Sequence, residues 1–194
     1  MLIINHRVNS PAELDFVDIG QGVEIDVHAY GRKLVVTHDS FTDGPELDDW
    51  ILKFRHEFVI LNIKEEGIED EVQRRFALAG ISNYFLLDLS FPSLVRMVRR
   101  GDSRVAVRVS EYEPIEQAFR LAGKVDWVWL DLFSGIPISP QESELLRSYK
   151  FKICLVSPEL HGRDATEIST IRSFIESSRF VVDAVCTKHP HLWV

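Results

Sequence analysis

Short apolar segments alternate with amphipathic helical patterns along the whole sequence, and this alternation is the strongest constraint on the fold. The apolar segments are hydrophobic on both faces, so they predict parallel strands that are buried between helices. Eight strands are separated from one another by helical patterns. They begin near Leu2, Gly22, Phe58, Tyr84, Arg104, Trp127, Lys152 and Val182.

Eight strand–helix units favour a closed barrel over an open doubly wound sheet. The chain has 194 residues, slightly fewer than is usual for such a barrel, and no linker interrupts it. We therefore predict an α/β fold, a single compact (β/α)8 TIM barrel that spans residues 1–194. We also predict a short helix over residues 12–19 and a hairpin-like excursion, 34–38, after the second strand.

The second strand reads Gly-Val-Glu-Ile-Asp-Val over residues 22–27 and carries two carboxylates in an apolar setting. Because a strand has a period of two, Glu24 and Asp26 must project from the same face. Two unpaired carboxylates there would repel each other and lose their hydration. A cation between them would remove both costs. The alternative is an ion pair with lysine or arginine side chains.

Other polar side chains fall where the predicted strands end, which is where barrels of this kind carry their chemistry. Fewer polar residues stand at the strand starts. The polar residues at the strand ends are His6, Arg7, Glu24, Asp26, Asn62, Lys64, Asp88, Arg108, Asp131 and Lys188. This distribution predicts a polar site at the C-terminal ends of the strands.

Four short motifs follow one another along the first half of the chain. They are His6-Arg7, Glu24-x-Asp26-Val27, His38-Asp39 and Asn62-x-Lys64. In this order they resemble the glycerophosphodiester phosphodiesterase family, whose barrel is shared with phosphatidylinositol-type phospholipases C. The resemblance is strong over residues 1–66, faint in the middle and moderate in the last strand, 182–190.

The resemblance implies an enzyme, a phosphoric diester hydrolase that cleaves a glycerophosphodiester-like substrate at the C-terminal mouth of the barrel. It implies two-histidine catalysis, with His6 as the base and His38 as the acid. Both imidazoles have an intrinsic pKa suited to proton transfer at neutral pH. Lys64 and Arg7 would stabilise the charge that develops on the phosphate. For Lys64 alone, the alternative is a salt bridge to Glu24.

The resemblance also implies a divalent metal, Mg²⁺ or Ca²⁺, held by Glu24, Asp26 and Asn62. Oxygen ligands of this kind suit a hard cation. The family has a metal-binding Glu at the position of Asn62, so one negative charge is missing and metal binding should be weaker. Lys188 likewise stands where the family has an Asp, and Val8 where it has a Gly.

These departures keep two other functions open. One is a degenerate, catalytically weak barrel that binds phosphate-bearing ligands without turning them over. The other is a metal-dependent hydrolase of a different bond, since a fold does not fix a function.

The composition restricts the partners. A net charge of −8 argues against nucleic acid and against an anionic membrane surface. No apolar run reaches the roughly 18 residues that a membrane span needs, and the N-terminus lacks the pattern of a secretory signal. We therefore expect a cytoplasmic protein without stable membrane insertion, whose partner is a small-molecule phosphodiester substrate.

Several other residues are expected to have structural roles. Cys154 and Cys186 lie in apolar strands and are interpreted as reduced core residues rather than a disulfide. Trp127 and Trp129 are expected in the core. His161 follows the seventh strand, and a solvated loop residue is the favoured interpretation over a ligand.

Overall fold

The computed structural model describes all 194 residues. The strands are β1 (Leu2–Asn5), β2 (Gly22–Tyr30), β3 (Lys33–Val36), β4 (Phe58–Ile63), β5 (Tyr84–Leu87), β6 (Ala106–Val109), β7 (Trp127–Leu130), β8 (Lys152–Val156) and β9 (Ala184–Thr187). The helices are α1 (Leu47–Lys53), α2 (Glu69–Leu78), α3 (Phe91–Arg99), α4 (Glu116–Arg120), α5 (Pro140–Ser148) and α6 (Glu167–Ser178). None of them is both long and apolar enough to cross a membrane.

The strands form one sheet in the order β5-β4-β2-β1-β9-β8-β7-β6, and β3 pairs with β2 outside this path. Five pairings are parallel, namely β2 with β4, β4 with β5, β6 with β7, β7 with β8 and β8 with β9. Eight strands in this order, with helices between them, form a (β/α)8 barrel. The predicted fold class is therefore confirmed.

The predicted excursion after the second strand is an antiparallel hairpin of β2 and β3. Tyr30 pairs with Lys33, so the loop contains two residues, and Gly31 opens it with a φ of 63°. Tight hairpin turns of this length need a positive φ, which glycine adopts without steric cost. The pairing with β3 also explains why β2 continues to Tyr30, beyond the predicted end at Val27.

The prediction of a helix over residues 12–19 is wrong. Only a 3-10 turn, Glu13–Phe16, forms there, and Leu14 is its one buried residue. Phe16 is 90% exposed and Ile19 is 66% exposed, so the segment has no apolar face to pack against the sheet. A helix this short is not stable without such packing. The eight predicted strands all form, and each begins within two residues of its predicted start.

The chain divides into two compact units, an N-terminal unit (Asn5–Arg96) and a C-terminal unit (Met97–Val194 together with Met1–Ile4). The expectation of one domain over residues 1–194 stays a prediction. Each unit contains its own buried aromatic side chains.

An aromatic cluster forms the core of the N-terminal unit. Trp50 of α1 is fully buried, stacks on Phe54 with ring centroids 5.2 Å apart, and donates its indole N–H to the Val8 carbonyl oxygen at 2.9 Å. Phe76 of α2 lies 6.5 Å from Trp50 and 5.6 Å from Tyr84. The cluster therefore holds both helices and the segment that follows β1.

The C-terminal unit is built on β6 to β9, whose side chains are almost all buried. Trp127 and Trp129 are buried, as expected for core residues. Cys154 and Cys186 are buried free thiols on β8 and β9. A capping box between Ser139 and Glu142 fixes the start of α5.

We expect Phe76→Ala to lower the free energy of unfolding by about 3–5 kcal/mol, because it empties a fully buried site between Trp50 and Tyr84. Leu78→Ala in the same helix is the matched control. Leu78 is 74% exposed, so its truncation should change stability by no more than about 0.5 kcal/mol. Urea denaturation measures both, and equal effects would contradict the assignment of this core.

Candidate active site

β2 carries Glu24 and Asp26 in the part of the strand that pairs with β4, within the N-terminal unit. The strand runs parallel to β4, with Asp26 opposite Asn62. Both carboxylates are buried to within 1% of complete burial. The predicted same-face arrangement is consistent with the electrostatics, because the charge of Asp26 acts on Glu24. Two carboxylates so deeply buried require compensating groups.

The turn after β1 supplies one set of these groups. Arg7 has a φ of 56°, which is uncommon for a residue with a side chain, and its backbone N–H donates to Glu24 Oε2 at 2.8 Å. His6 Nε2 lies 3.8 Å from the same oxygen. Arg7 Nε lies 3.8 Å from Asp26 Oδ2. The left-handed turn thus brings the backbone and both side chains of the His-Arg motif towards the carboxylates.

Asn9 is a site residue that the sequence analysis missed. Its amide nitrogen donates to Asp26 Oδ2 at 2.9 Å, and its amide oxygen accepts the backbone N–H of Asp26 at 2.9 Å. Asn9 therefore holds both the side chain and the backbone of the same residue. In the sequence it belongs to a Val-Asn-Ser-Pro turn signal, and nothing in the local pattern distinguishes a turn asparagine from a carboxylate partner.

β4 supplies the remaining groups. Asn62 Nδ2 donates to Glu24 Oε1 at 3.1 Å, whereas Asn62 Oδ1 is buried without a hydrogen-bond partner. Lys64, just beyond the strand, places its Nζ 2.9 Å from Asp26 Oδ1. The salt bridge considered for Lys64 therefore forms with Asp26 rather than with Glu24, because Asp26 is opposite Asn62 and so lies nearer the end of the strand.

The two carboxylates are compensated unequally. Asp26 faces the cations of Lys64 and Arg7, whereas Glu24 accepts hydrogen bonds from neutral donors. Burial and then the charge of Asp26 raise the pKa of Glu24 to about 7, against the opposing hydrogen bonds from Arg7 and Asn62 and the charge of Lys64. Charged side chains therefore compensate Glu24 less completely than Asp26.

His38 is predicted beside these carboxylates, and the structure places it at the edge of this region. The backbone N–H of Thr37 donates to the Asp26 carbonyl oxygen at 3.0 Å, so the chain just before His38 lies beside Asp26. The His38 side chain instead pairs with Asp39, with Nδ1 and Oδ1 2.9 Å apart, and it is 41% exposed. The side chains of His6, Arg7, Lys64 and Asn62 each pair with Glu24 or Asp26, whereas the hydrogen bond of the His38 side chain goes to Asp39.

The candidate metal ligands Glu24, Asp26 and Asn62 fit a cation in part. No group of three or more His, Cys, Asp or Glu side chains in the chain is arranged to hold a metal ion. The donor set instead consists of two carboxylates and an amide, and the amide oxygen of Asn62 is a buried acceptor without a donor. Oxygen ligands of this kind are those that a hard cation prefers.

Three other polar residues predicted at strand ends lie in the C-terminal unit and have partners there, namely Arg108, Asp131 and Lys188. Arg108 Nη1 donates to Asp131 Oδ2 at 2.5 Å. Lys188 has an exposed side chain, and its backbone N–H donates to Glu159. The expectation that His161 is a solvated loop residue is wrong, because its Nε2 lies 3.1 Å from Asp131 Oδ1 and only 13% of its side chain is exposed.

The sequence matches no model of a known protein family, and no curated protein matches it. Solved structures do resemble the fold. A glycerophosphodiester phosphodiesterase from Agrobacterium tumefaciens str. C58 matches with a TM-score of 0.71 and 16% identity, over 99% of this chain and 97% of that chain. A putative glycerophosphoryl diester phosphodiesterase from the same organism matches with a TM-score of 0.72 and 11% identity, over 99% of this chain and 95% of that chain.

A glycerophosphoryl diester phosphodiesterase from Parabacteroides distasonis ATCC 8503 gives a TM-score of 0.67 and 14% identity, over 99% of this chain and 84% of that chain. These likenesses span the whole chain, so they establish a shared fold. They confirm the resemblance seen in the sequence motifs at the level of fold.

We expect the raised pKa of Glu24 to be visible in the pH dependence of stability. A carboxyl whose folded pKa is about 7 and whose ordinary value is 4.5 contributes stability below pH 4.5 that is lost as the pH rises through 7. Between pH 4.5 and 8 the wild type should therefore lose on the order of 3 kcal/mol relative to Glu24→Gln.

Urea denaturation with a chelator present measures this difference at each pH. Glu116→Gln, which alters an exposed carboxyl on α4, should follow the wild type. A difference between the wild type and Glu24→Gln that does not change with pH would contradict the shift.

Proposed function

We propose that the chain is a metal-dependent phosphodiesterase that hydrolyses a glycerophosphodiester-like substrate. One observation carries this proposal: two buried carboxylates are in contact with Lys64, Arg7 and His6 at the carboxyl ends of parallel strands. Such ends carry the active sites of (β/α)8 barrels. The shared fold of the three phosphodiesterase crystal structures supports the same reaction class.

In the proposed reaction a hydroxyl group of the substrate attacks the phosphorus atom. His6 accepts the hydroxyl proton as the P–O bond forms, and His38 protonates the alkoxide as the bond to the departing alcohol breaks. The products are a free alcohol and a cyclic phosphate. The cyclic phosphate is either released or hydrolysed, and in the second case water attacks the phosphorus atom and opens the ring to a phosphate monoester. His6 has the geometric support of its contact with Glu24. His38 would have to turn from Asp39 to take part.

Arg7 and Lys64 would bind the phosphate and stabilise its developing negative charge. Arg7 is 41% exposed and Lys64 is 21% exposed, so both remain accessible although each faces Asp26. Asp26 and Asn9 would orient these cations. Their buried network fixes positions that catalysis requires to be held in advance.

Glu24, Asp26 and the amide oxygen of Asn62 would hold the divalent ion, Mg²⁺ or Ca²⁺. When bound, the ion supplies Lewis-acid polarisation of the phosphate and neutralises charge. Its site would lie beside Glu24, whose buried charge the neighbouring groups compensate only in part. The substrate would be a small phosphodiester, and we propose a cytoplasmic location.

A second candidate is a barrel that binds phosphate-bearing ligands without turning them over. It is favoured by the contact of His38 with Asp39 and by the amide at position 62, which leaves the ligand set with two charges. A screen of phosphodiesters with and without added divalent metals separates the two candidates. Turnover that needs metal and is lost in Asp26→Ala supports the enzyme, whereas binding without turnover supports the second candidate.

We expect His6→Ala and His38→Ala each to lower turnover at least about a hundredfold, the lower limit for general acid–base groups. The control is His191→Ala, because His191 is exposed and lies in the C-terminal unit. Initial rates on a substrate that the wild type cleaves provide the measurement. Near-wild-type rates for both variants would exclude the two-histidine mechanism.

We expect Asn62→Glu to raise metal affinity in the absence of substrate. A third negative charge near a divalent ion strengthens attraction by several kcal/mol at an effective dielectric constant near 20, before desolvation offsets part of it. In the wild type, phosphate should supply the missing anion, so metal and phosphate should tighten each other's binding equally.

Calorimetric titration of both proteins, with and without a non-cleavable phosphodiester, tests this expectation. Asn62→Gln keeps the amide and serves as the control. If Asn62→Glu leaves the metal affinity unchanged, Asn62 does not face the ion.

A further inference from the structure

A buried carboxylate in the C-terminal unit lies against three polar side chains. Asp131, which follows β7, accepts the indole N–H of Trp129 on Oδ1 at 3.1 Å and the Arg108 guanidinium on Oδ2 at 2.5 Å. His161 Nε2 lies 3.1 Å from Oδ1. Only 2% of the Asp131 side chain is exposed, whereas 32% of the Arg108 side chain is exposed. The negative charge is therefore buried, and the cation reaches solvent.

The loops around this carboxylate are tied together. Glu111, after β6, accepts the backbone N–H and the hydroxyl of Ser134 at 2.7 and 2.8 Å and the N–H of Gly135 at 2.9 Å. Burial acts to raise the pKa of Glu111, but these hydrogen bonds lower it to about 2. The loops after β6 and β7 are thus held in one arrangement at neutral pH.

Two exposed aromatic side chains are positioned by this arrangement. Tyr112 and Phe133 lie on the tied loops with ring centroids 5.8 Å apart, and they are 82% and 40% exposed. The Phe133 ring also packs on His161, with centroids 4.3 Å apart. An exposed apolar surface therefore adjoins the group of Arg108, Asp131 and His161. Adjacent apolar surface and fixed cations are typical of ligand sites.

The chemistry of the exposed groups indicates the ligand. A guanidinium presents planar N–H donors that match the oxygens of a phosphate. The His161 imidazole lies against Asp131 and carries a second ring nitrogen, which can form a hydrogen bond. Aromatic faces accept an apolar or planar group at small entropic cost. The residues Arg108, Tyr112, Asp131, Phe133 and His161 are called the Asp131 cluster below.

We propose that the Asp131 cluster is a second ligand site, which binds a phosphate monoester that carries an apolar or aromatic group. Arg108 binds the phosphate, with His161 beside it. Phe133 and Tyr112 contact the apolar group. Asp131 and Glu111 are positioning residues, because they hold the guanidinium, the imidazole and the two loops in place before the ligand arrives.

Phenyl phosphate is a suitable probe, and inorganic phosphate is its matched partner without the ring. Phosphate can also bind Lys64 and Arg7 in the N-terminal unit, so the total heat of a calorimetric titration would not identify the site. The readout is the NMR signal of the His161 imidazole in histidine-labelled protein, assigned with His161→Gln. We expect phenyl phosphate to shift this signal in a saturable way and to bind at least about tenfold more tightly than inorganic phosphate.

Two variants separate the two halves of the site. Arg108→Gln should lower the affinity for phenyl phosphate and for inorganic phosphate at least tenfold. Phe133→Ala should lower the affinity for phenyl phosphate to that for inorganic phosphate and leave inorganic phosphate unaffected. Arg120→Gln, which removes an exposed guanidinium from α4, should bind both ligands as the wild type does.

The proposal is overturned if phenyl phosphate does not shift the His161 signal of the wild type, or if Arg108→Gln binds it unchanged. Arg108→Gln leaves Asp131 with one donor fewer and can fail to fold. Arg108→Lys keeps the positive charge for Asp131 but loses the planar donor pair. A folded Arg108→Lys variant with wild-type affinity for both ligands also overturns the proposal.

Discussion

The burial of two carboxylates on one face of β2 is the constraint on which the N-terminal half of the structure depends. Removing each charge from water costs several kcal/mol even after relaxation. The strand itself offers no compensation, since its other side chains are largely apolar. Every compensating group must therefore come from elsewhere, and they come from the turn after β1 and from the end of β4.

This dependence explains a backbone conformation that would otherwise be unfavourable. Arg7 is not a glycine, yet it adopts a φ of 56°. The conformation directs its N–H to Glu24, and the next residue, Val8, is fixed on both sides. The Val8 N–H donates to the Glu24 carbonyl oxygen, and its own carbonyl oxygen accepts the Trp50 indole N–H. The aromatic core therefore maintains the strained turn, and the turn stabilises the carboxylate.

The sequence predicts those features that follow from periodicity. The alternation of apolar strands and helices is sufficient for the barrel, and the period of two places Glu24 and Asp26 together. Features that depend on distance between segments are not encoded in this way. Asn9 reads as a turn residue, and His161 reads as a loop residue until Asp131 is seen beside it. The turn at 13–16 shows the same limit, because helical spacing alone does not create a surface to pack against.

The unequal compensation of the two carboxylates has a chemical consequence. Asp26 faces Lys64 and Arg7, which offset part of its charge, so Asp26 would attract a bound ion less strongly than Glu24. Glu24 accepts hydrogen bonds from a backbone N–H and the Asn62 amide, which supply dipoles rather than charge, and His6 Nε2 lies 3.8 Å away. An added ion would therefore be stabilised chiefly by Glu24. It would offset the buried negative charge of this carboxyl, whose pKa is raised mainly by burial. The same inequality leaves Lys64 and Arg7 as the groups that carry positive charge towards a phosphate when no ion is bound.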